Sequence, residues 1–152
     1  MHYFVNIGSN LGVRALNISR AVRAIESRFG YFEISKMMES EPQGFDSVNL
    51  FSNVAVMFIS DKEPAEVLEI LQEIERELNP TPHRYADGSY SDRVLDIDIM
   101  AVDEMHINTP RLKVPHPRLA ERKFFLQPFA ELAPLWRHPA TGLTCEQMLT
   151  RL

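Results

Sequence analysis

The chain has 152 residues, 45% hydrophobic and 24% charged, with a formal net charge of −5 at pH 7 and an isoelectric point near 5.5. This is the length and composition of a single globular domain spanning 1–152, with a proper core and no room for a second catalytic domain. The acidic balance argues against a general nucleic-acid surface, and no apolar stretch is long enough to span a membrane.

The single cysteine, Cys145, excludes an internal disulfide framework and any multi-cysteine zinc site. It is expected to be a small core residue, in keeping with a reducing compartment. With no basic-then-apolar segment at the N-terminus, the expected location is the cytoplasm. The expected partners are small molecules, without nucleic acid or membrane, and the expected state is a monomer.

Residues 3–7 read as a first strand, which ends in Gly8-Ser9-Asn10-Leu11-Gly12, where Gly and Asn favour a turn with positive φ. This is either a tight strand-to-helix connection or a place where backbone approaches a ligand that a Cβ would strike. A scaffold helix is predicted over 15–29, with Leu16, Ile18, Val22, Ile25 and Phe29 at helical spacing. Residues 31–35 start a second strand running toward Met38, and Pro and Gly mark a loop over 39–48. A third strand over 50–60 places Phe51, Asn53, Ala55 and Met57 on one face and Val54, Val56 and Phe58 on the other. Asn is depleted in strand interiors, so Asn53 needs a partner, either a bulged backbone or the hydrogen-bonding edge of a ligand.

A second helix is predicted over 63–78, because Pro64 suits a first turn, acidic residues crowd its N-terminal half, and Val67, Leu71, Ile74 and Leu78 form a stripe. Asn79-Pro80 stops it. Residues 81–91 then form a long polar loop without periodicity, a length typical of lids, binding loops or disordered segments.

Asp92-Arg93-Val94-Leu95-Asp96-Ile97-Asp98 sets charge into an apolar run that continues through Ile99, Met100, Ala101 and Val102 and reads as a buried strand. Side chains two apart on a strand point the same way, so Asp96 and Asp98 stand side by side. One reading puts them on the wet face of an edge strand with Arg93 as a surface partner. The other gives them a cation: oxygen-only ligation with no nearby Cys suits Mg²⁺, which takes one or two carboxylates together with substrate phosphates and waters. Arg93, at the start of the strand, is a planar cation suited to phosphate oxygens.

Residues 108–115 are extended and turn-rich, and Pro117 suits the first position of a short helix over 116–122. Arg111, Lys113, His116, Arg118 and Arg122, with Arg93, concentrate positive charge in an acidic protein, which reads as a polyphosphate site. A core-packed helical turn is expected over 128–134, and an amphipathic segment around Cys145–Leu149 ends the chain.

Five motifs then occur in order: Ile7-Gly8-Ser9-Asn10-Leu11-Gly12; Glu41-Pro42-x-Gly44 followed by Asn53; Leu71-Gln72-x-Ile74-Glu75; Asp92-Arg93-x-x-Asp96-Ile97-Asp98; and Val114-Pro115-His116-Pro117-Arg118-Leu119-x-Glu121-Arg122-x-Phe124. Over about 3–135 the chain thereby resembles the 6-hydroxymethyl-7,8-dihydropterin pyrophosphokinases of folate biosynthesis. Each motif alone is weak, and the series is highly specific.

The resemblance implies a ferredoxin-like α+β fold, a mainly antiparallel sheet with helices packed on it. It also implies a diphosphotransferase that moves the terminal diphosphate of ATP to the pterin hydroxymethyl oxygen and releases AMP. Carried over by position, Asp96 and Asp98 would hold two Mg²⁺ ions bridging the ATP phosphates and, with Arg93 and Arg122, form the catalytic set. His116 and Arg118 would join the arginines on the ATP side, with Gln72, Ile99, Arg111 and Lys113 nearer the nucleoside. Gly8, Ser40, Pro42, Gln43 and Asn53 would surround the pterin edge, and Phe124, with Phe51, would stack on its ring.

Where the family commonly carries Gly-Arg after the second helix and Trp-Gly-Pro before the site arginine, this chain has Asn79-Pro80 and Tyr90-Ser91-Asp92. Arg84 then stands in for an ATP-closing arginine and Tyr90 for the tryptophan, on a loop expected to close over both substrates. A pterin- or nucleotide-binding homologue without turnover is the second reading. An RNA-binding module is the third, and it is weakened by acidic side chains where a stacking module needs a basic sheet face.

Overall fold

The computed structural model describes residues 1–41, 50–79 and 94–152. In chain order it runs β1 (His2–Ser9), α1 (Arg14–Phe29), β2 (Phe32–Ile34), β3 (Met38–Ser40), β4 (Phe51–Ile59), α2 (Pro64–Leu78) and β5 (Asp96–Val102). The hairpin β6 (Ile107–Asn108) and β7 (Lys113–Val114) follows, then a 3₁₀ turn at Leu119–Glu121, α3 (Lys123–Leu132) and α4 (Cys145–Leu149). The main sheet has the order β2-β4-β1-β5, with β3 also on β4, and every described pairing is antiparallel. Two strand–helix–strand units interleaved in this order make the ferredoxin-like α+β fold.

Strand alternation divides the core into two layers. Tyr3, Val5 and Ile7 of β1, Val54, Val56 and Phe58 of β4, and Ile97 and Ile99 of β5 face α1 and α2, where they meet Ile18, Ala21, Ile25, Val67, Leu71 and Ile74. Each such side chain withdrawn from water stabilises the fold by roughly 1.5–3 kcal/mol. The second layer joins Phe4, Ala55, Met57 and Met100 to Phe125, Phe129, Trp136, Cys145 and Met148 of the C-terminal segment. Burial pushes the Cys145 thiol up to about 12, so it stays protonated as a core residue.

Four local differences from the sequence reading have physical causes. Leu16 is exposed, because it stands about 200° around α1 from Ile18, and Ala21 completes the buried stripe instead. The second strand is divided: Ile34 pairs with Val56 but Met38 with Asn53, so the chain carries one extra residue between them. Ser35 fills that bulge, its hydroxyl accepting the Ala55 N–H (2.9 Å) and its own N–H donating to the Ala55 carbonyl (2.9 Å). The short helix expected after Pro117 is only the 3₁₀ turn, and the expected turn near 128–134 is instead the ten-residue α3. A further bulge in β5 pairs Val5 with Ile99 but Phe4 with Ala101. Met100 is the extra residue, and its carbonyl accepts the His116 N–H (2.9 Å), which fastens the segment after β7 to the middle of β5.

Candidate active site

On the sheet face opposite α1 and α2, outward residues of the three adjacent strands β4, β1 and β5 form a floor. Asn6 and Gly8 of β1, Asn53 of β4 and Asp96 and Asp98 of β5 line an open-sided cleft walled by Glu41, Phe51, Arg122, Phe124 and Phe125. Register explains the grouping, since Gly8 lies between Asn53 and Asp96 and Asn6 lies beside Asp98. Asp96 and Asp98 share the face that strand alternation requires.

Gly8 has a specific neighbour, because a Cβ there would lie 3.0 Å from Asn53 Oδ1. The side-chain amide of Asn53 is what a larger residue would crowd. Asn53 Nδ2 donates to Ser40 Oγ (2.9 Å), so the orientation of this buried amide is set by β3. Its partner is thus a side chain, not a bulged backbone.

β5 ends the sheet, and its outer main-chain groups need partners from elsewhere. The last turn of α2 supplies them. The Ile97 N–H donates to Glu75 Oε2 (2.7 Å), the Leu95 N–H donates to Asn79 Oδ1 (2.9 Å), and Asn79 Nδ2 donates to the Leu95 carbonyl (2.8 Å). Asn79 therefore holds the start of the Asp-bearing strand.

Burial first and the neighbouring Asp96 second push the Glu75 carboxyl up to about 8. A proton bound more tightly by the folded than by the unfolded chain stabilises fully below the unfolded value of about 4.5, and that stabilisation disappears as pH rises through 8. In metal-free buffer Glu75→Gln should therefore gain stability relative to the parent between pH 5 and 8.5, by roughly 2–4 kcal/mol in urea denaturation. A difference independent of pH would contradict this account of Glu75.

Arg122 and His116 lie within electrostatic reach of the carboxylates. Arg122 lies with its guanidinium carbon 5.0 Å from the Phe125 ring centre and 5.5 Å from that of Phe124. Its buried Nε has no hydrogen-bond partner among the described residues, the kind of vacancy an oxyanion fills. His116 Nδ1 accepts the Arg118 N–H (3.1 Å), and the ring meets Phe125 edge-on at 5.0 Å. Burial, reinforced by Arg122, lowers His116 to about 4. With Nδ1 occupied as an acceptor, the neutral imidazole carries its proton on Nε2 as a donor.

The other predicted residues are more scattered. Arg118 and Lys113 are exposed, Arg111 pairs with Glu69 of α2 (3.1 Å), and Gln72 is half-buried on α2. The Ile99 side chain lies in the helix-side core, so a contact from this residue would use its main chain on the outer edge of β5. Pro42, Gln43, Arg84, Tyr90 and Arg93, and with them the expected closing loop, lie outside the described residues. Sequence reasoning assigned no role to Asn6, Glu41, Glu75, Asn79 or Phe125. A signal existed for Asn6, a polar residue within an apolar strand.

The donor set suits Mg²⁺. Among the described residues no group of three or more His, Cys, Asp or Glu is gathered to cage an ion, whereas two carboxylates on one open face leave positions for water and phosphate. Acidic ligands and a half-buried guanidinium lining one cleft with aromatic walls are the parts that phosphoryl-type transfer uses on a flat organic acceptor.

Known proteins agree with this class. Residues 4–134 match the family model of 7,8-dihydro-6-hydroxymethylpterin-pyrophosphokinase. A 2-amino-4-hydroxy-6-hydroxymethyldihydropteridine pyrophosphokinase of Porphyromonas gingivalis is 38% identical over 138 residues, covering 90% of this chain and 92% of the relative. The enzyme of that name from Bacillus subtilis is 32% identical, covering 95% and 85%. In fold, the chain resembles the crystal structure of Plasmodium falciparum HPPK-DHPS with pteroate, with a TM-score of 0.76 at 12% identity, covering 99% of this chain and 44% of that larger one. The chain belongs to the 7,8-dihydro-6-hydroxymethylpterin-pyrophosphokinase family.

Proposed function

We propose that the protein transfers the terminal diphosphate of ATP to the hydroxymethyl oxygen of 6-hydroxymethyl-7,8-dihydropterin, giving the pterin diphosphate and AMP in folate biosynthesis. The observation that carries the reading is one cleft lined together by Asp96, Asp98, Arg122 and the aromatic side chains of Phe51 and Phe124. The new bond joins the hydroxymethyl oxygen to the β-phosphorus, the bond from that phosphorus to the AMP oxygen breaks, and the hydroxyl proton leaves to solvent.

Asp96 and Asp98 would hold Mg²⁺, two ions in the fuller proposal, and the metal would neutralise phosphate charge. Arg122, through its unpartnered Nε–H, and His116, through Nε2–H, bind phosphate oxygens, with Arg93, Arg118 and Arg84 on the same side. Gln72, Arg111, Lys113 and the main chain of Ile99 serve the nucleoside. Asn53, oriented by Ser40 and given room by Gly8, reads the pterin edge with Pro42 and Gln43, while Phe51 and Phe124 hold the ring and Tyr90 covers it. Because such transfers pass through loose transition states, positioning and charge suffice without a strong protein base.

The protein works as a single domain over 1–152, a monomer in the cytoplasm. No helix of the described residues is long and apolar enough to cross a membrane. The test is AMP release from ATP and Mg²⁺ with and without 6-hydroxymethyl-7,8-dihydropterin. Pterin-dependent AMP is expected. Calorimetric binding of both substrates without AMP would instead establish a binding protein that has lost turnover.

A further inference from the structure

α3 contains a proline in its interior, Pro128, and a proline has no N–H to give to the carbonyl four residues earlier. That carbonyl belongs to Phe124, whose side chain forms a wall of the cleft. A buried carbonyl left without a donor is costly, so the acceptor freed by Pro128 must be satisfied from outside the helix. Asn6 does this across 118 residues of sequence: its Nδ2 donates to the Phe124 carbonyl (3.0 Å). Asn6 is only 2% exposed and occupies the middle of β1, between Ala55 and Asp98.

The chemistry of this position is specific. An apolar residue at this position beside Ala55 could donate nothing. A serine would be too short to span the gap that the amide spans. Asn6 therefore ties the strand beside Asp98 to the first turn of the helix that carries Phe124, and the helix cannot make that connection redundant while Pro128 is present.

We propose that Asn6 is a positioning residue for the pterin. By holding the Phe124 main chain that Pro128 leaves unbonded, it fixes the aromatic wall at the depth and tilt at which a flat heterocycle stacks over the carboxylate floor. The inference rests on the reading of Phe124 as a wall of the pterin site.

The test is direct binding of 6-hydroxymethyl-7,8-dihydropterin by calorimetry in the presence of a non-hydrolysable ATP analogue, with far-ultraviolet circular dichroism to check folding. Asn6→Ala should weaken pterin binding about five- to tenfold, the scale of losing one hydrogen bond to a buried carbonyl. Binding of the nucleotide alone should stay within about twofold, since among the described residues the side-chain amide of Asn6 donates to the Phe124 carbonyl rather than to the cationic groups. The decisive variant is the double substitution Asn6→Ala with Pro128→Ala. It restores an N–H at position 128, gives the Phe124 carbonyl a helical partner, and should return pterin affinity to within about twofold of the parent.

A general structural role would not produce this rescue, because a cavity at Asn6 is not filled by an alanine in α3. If Asn6→Ala does not fold, a folded double variant with parental pterin affinity supports the proposal, and one that is unfolded or weak in binding overturns it. Phe124→Ala separates the two levels of the argument. If it binds pterin as tightly as the parent, the reading of the wall fails and this inference with it. If Phe124→Ala weakens binding while Asn6→Ala does not, the inference about Asn6 alone is overturned.

Discussion

Replacing Asp98 by alanine should reduce pterin-dependent AMP release by at least about a thousandfold, the several kcal/mol of transition-state stabilisation that a metal-held phosphate supplies. The fold should survive. Asp98 is only half-buried, its strand pairing with Asn6 uses main-chain groups, and the two hydrophobic layers lie elsewhere in the sheet. The loss should be accompanied by weaker Mn²⁺ binding in the presence of a non-hydrolysable ATP analogue, read by electron paramagnetic resonance. Asp96→Ala should behave alike in activity, with a larger change in stability because Asp96 also faces Glu75. A variant that loses activity only in proportion to its loss of folded protein would assign both carboxylates a structural role.

Arg122→Ala should lower kcat/KM by on the order of 10²–10³, the loss expected when one preorganised donor to a developing phosphate charge is removed. Arg122→Lys should restore little of it. The guanidinium is planar, lies over Phe124 and Phe125, and presents the buried Nε–H, whereas an ammonium on a flexible stem would not reproduce that placement. Some thermal stability should be lost too, because the guanidinium lies over both rings. Steady-state kinetics of both variants against ATP and pterin make the check. A lysine variant at the parental rate would show that charge alone, rather than a shaped donor, is required.

The local periodicities of the chain predict most of its elements. The alternation in β4 places Asn53 with Ala55 and Met57 and opposite Val54, Val56 and Phe58, and the α2 stripe of Val67, Leu71 and Ile74 is buried. Asp96 and Asp98 face one way because a strand leaves them no alternative. Bulges resisted such reading. The one extra residue between Ile34 and Met38 and that at Met100 are invisible to a period-2 pattern, since they depend on which partner strand lies alongside. The length of α3 was hidden by Pro128, whose presence in a helix is penalised unless an outside donor serves the carbonyl it orphans.

The sequence by itself determined the family, the strand, helix and polar segments, and the presence of paired carboxylates and clustered cations. These are properties of spacing along one chain. Only the tertiary structure decided that Gly8 makes way for Asn53, that Glu75 and Asn79 hold the free edge of β5, and that Asn6 serves the Phe124 carbonyl. Each is a bond or close approach between residues 16 to 118 positions apart, or across neighbouring strands. Such pairings arise from how the sheet is ordered and registered, and each is favoured because leaving a buried polar group unpaired is costly.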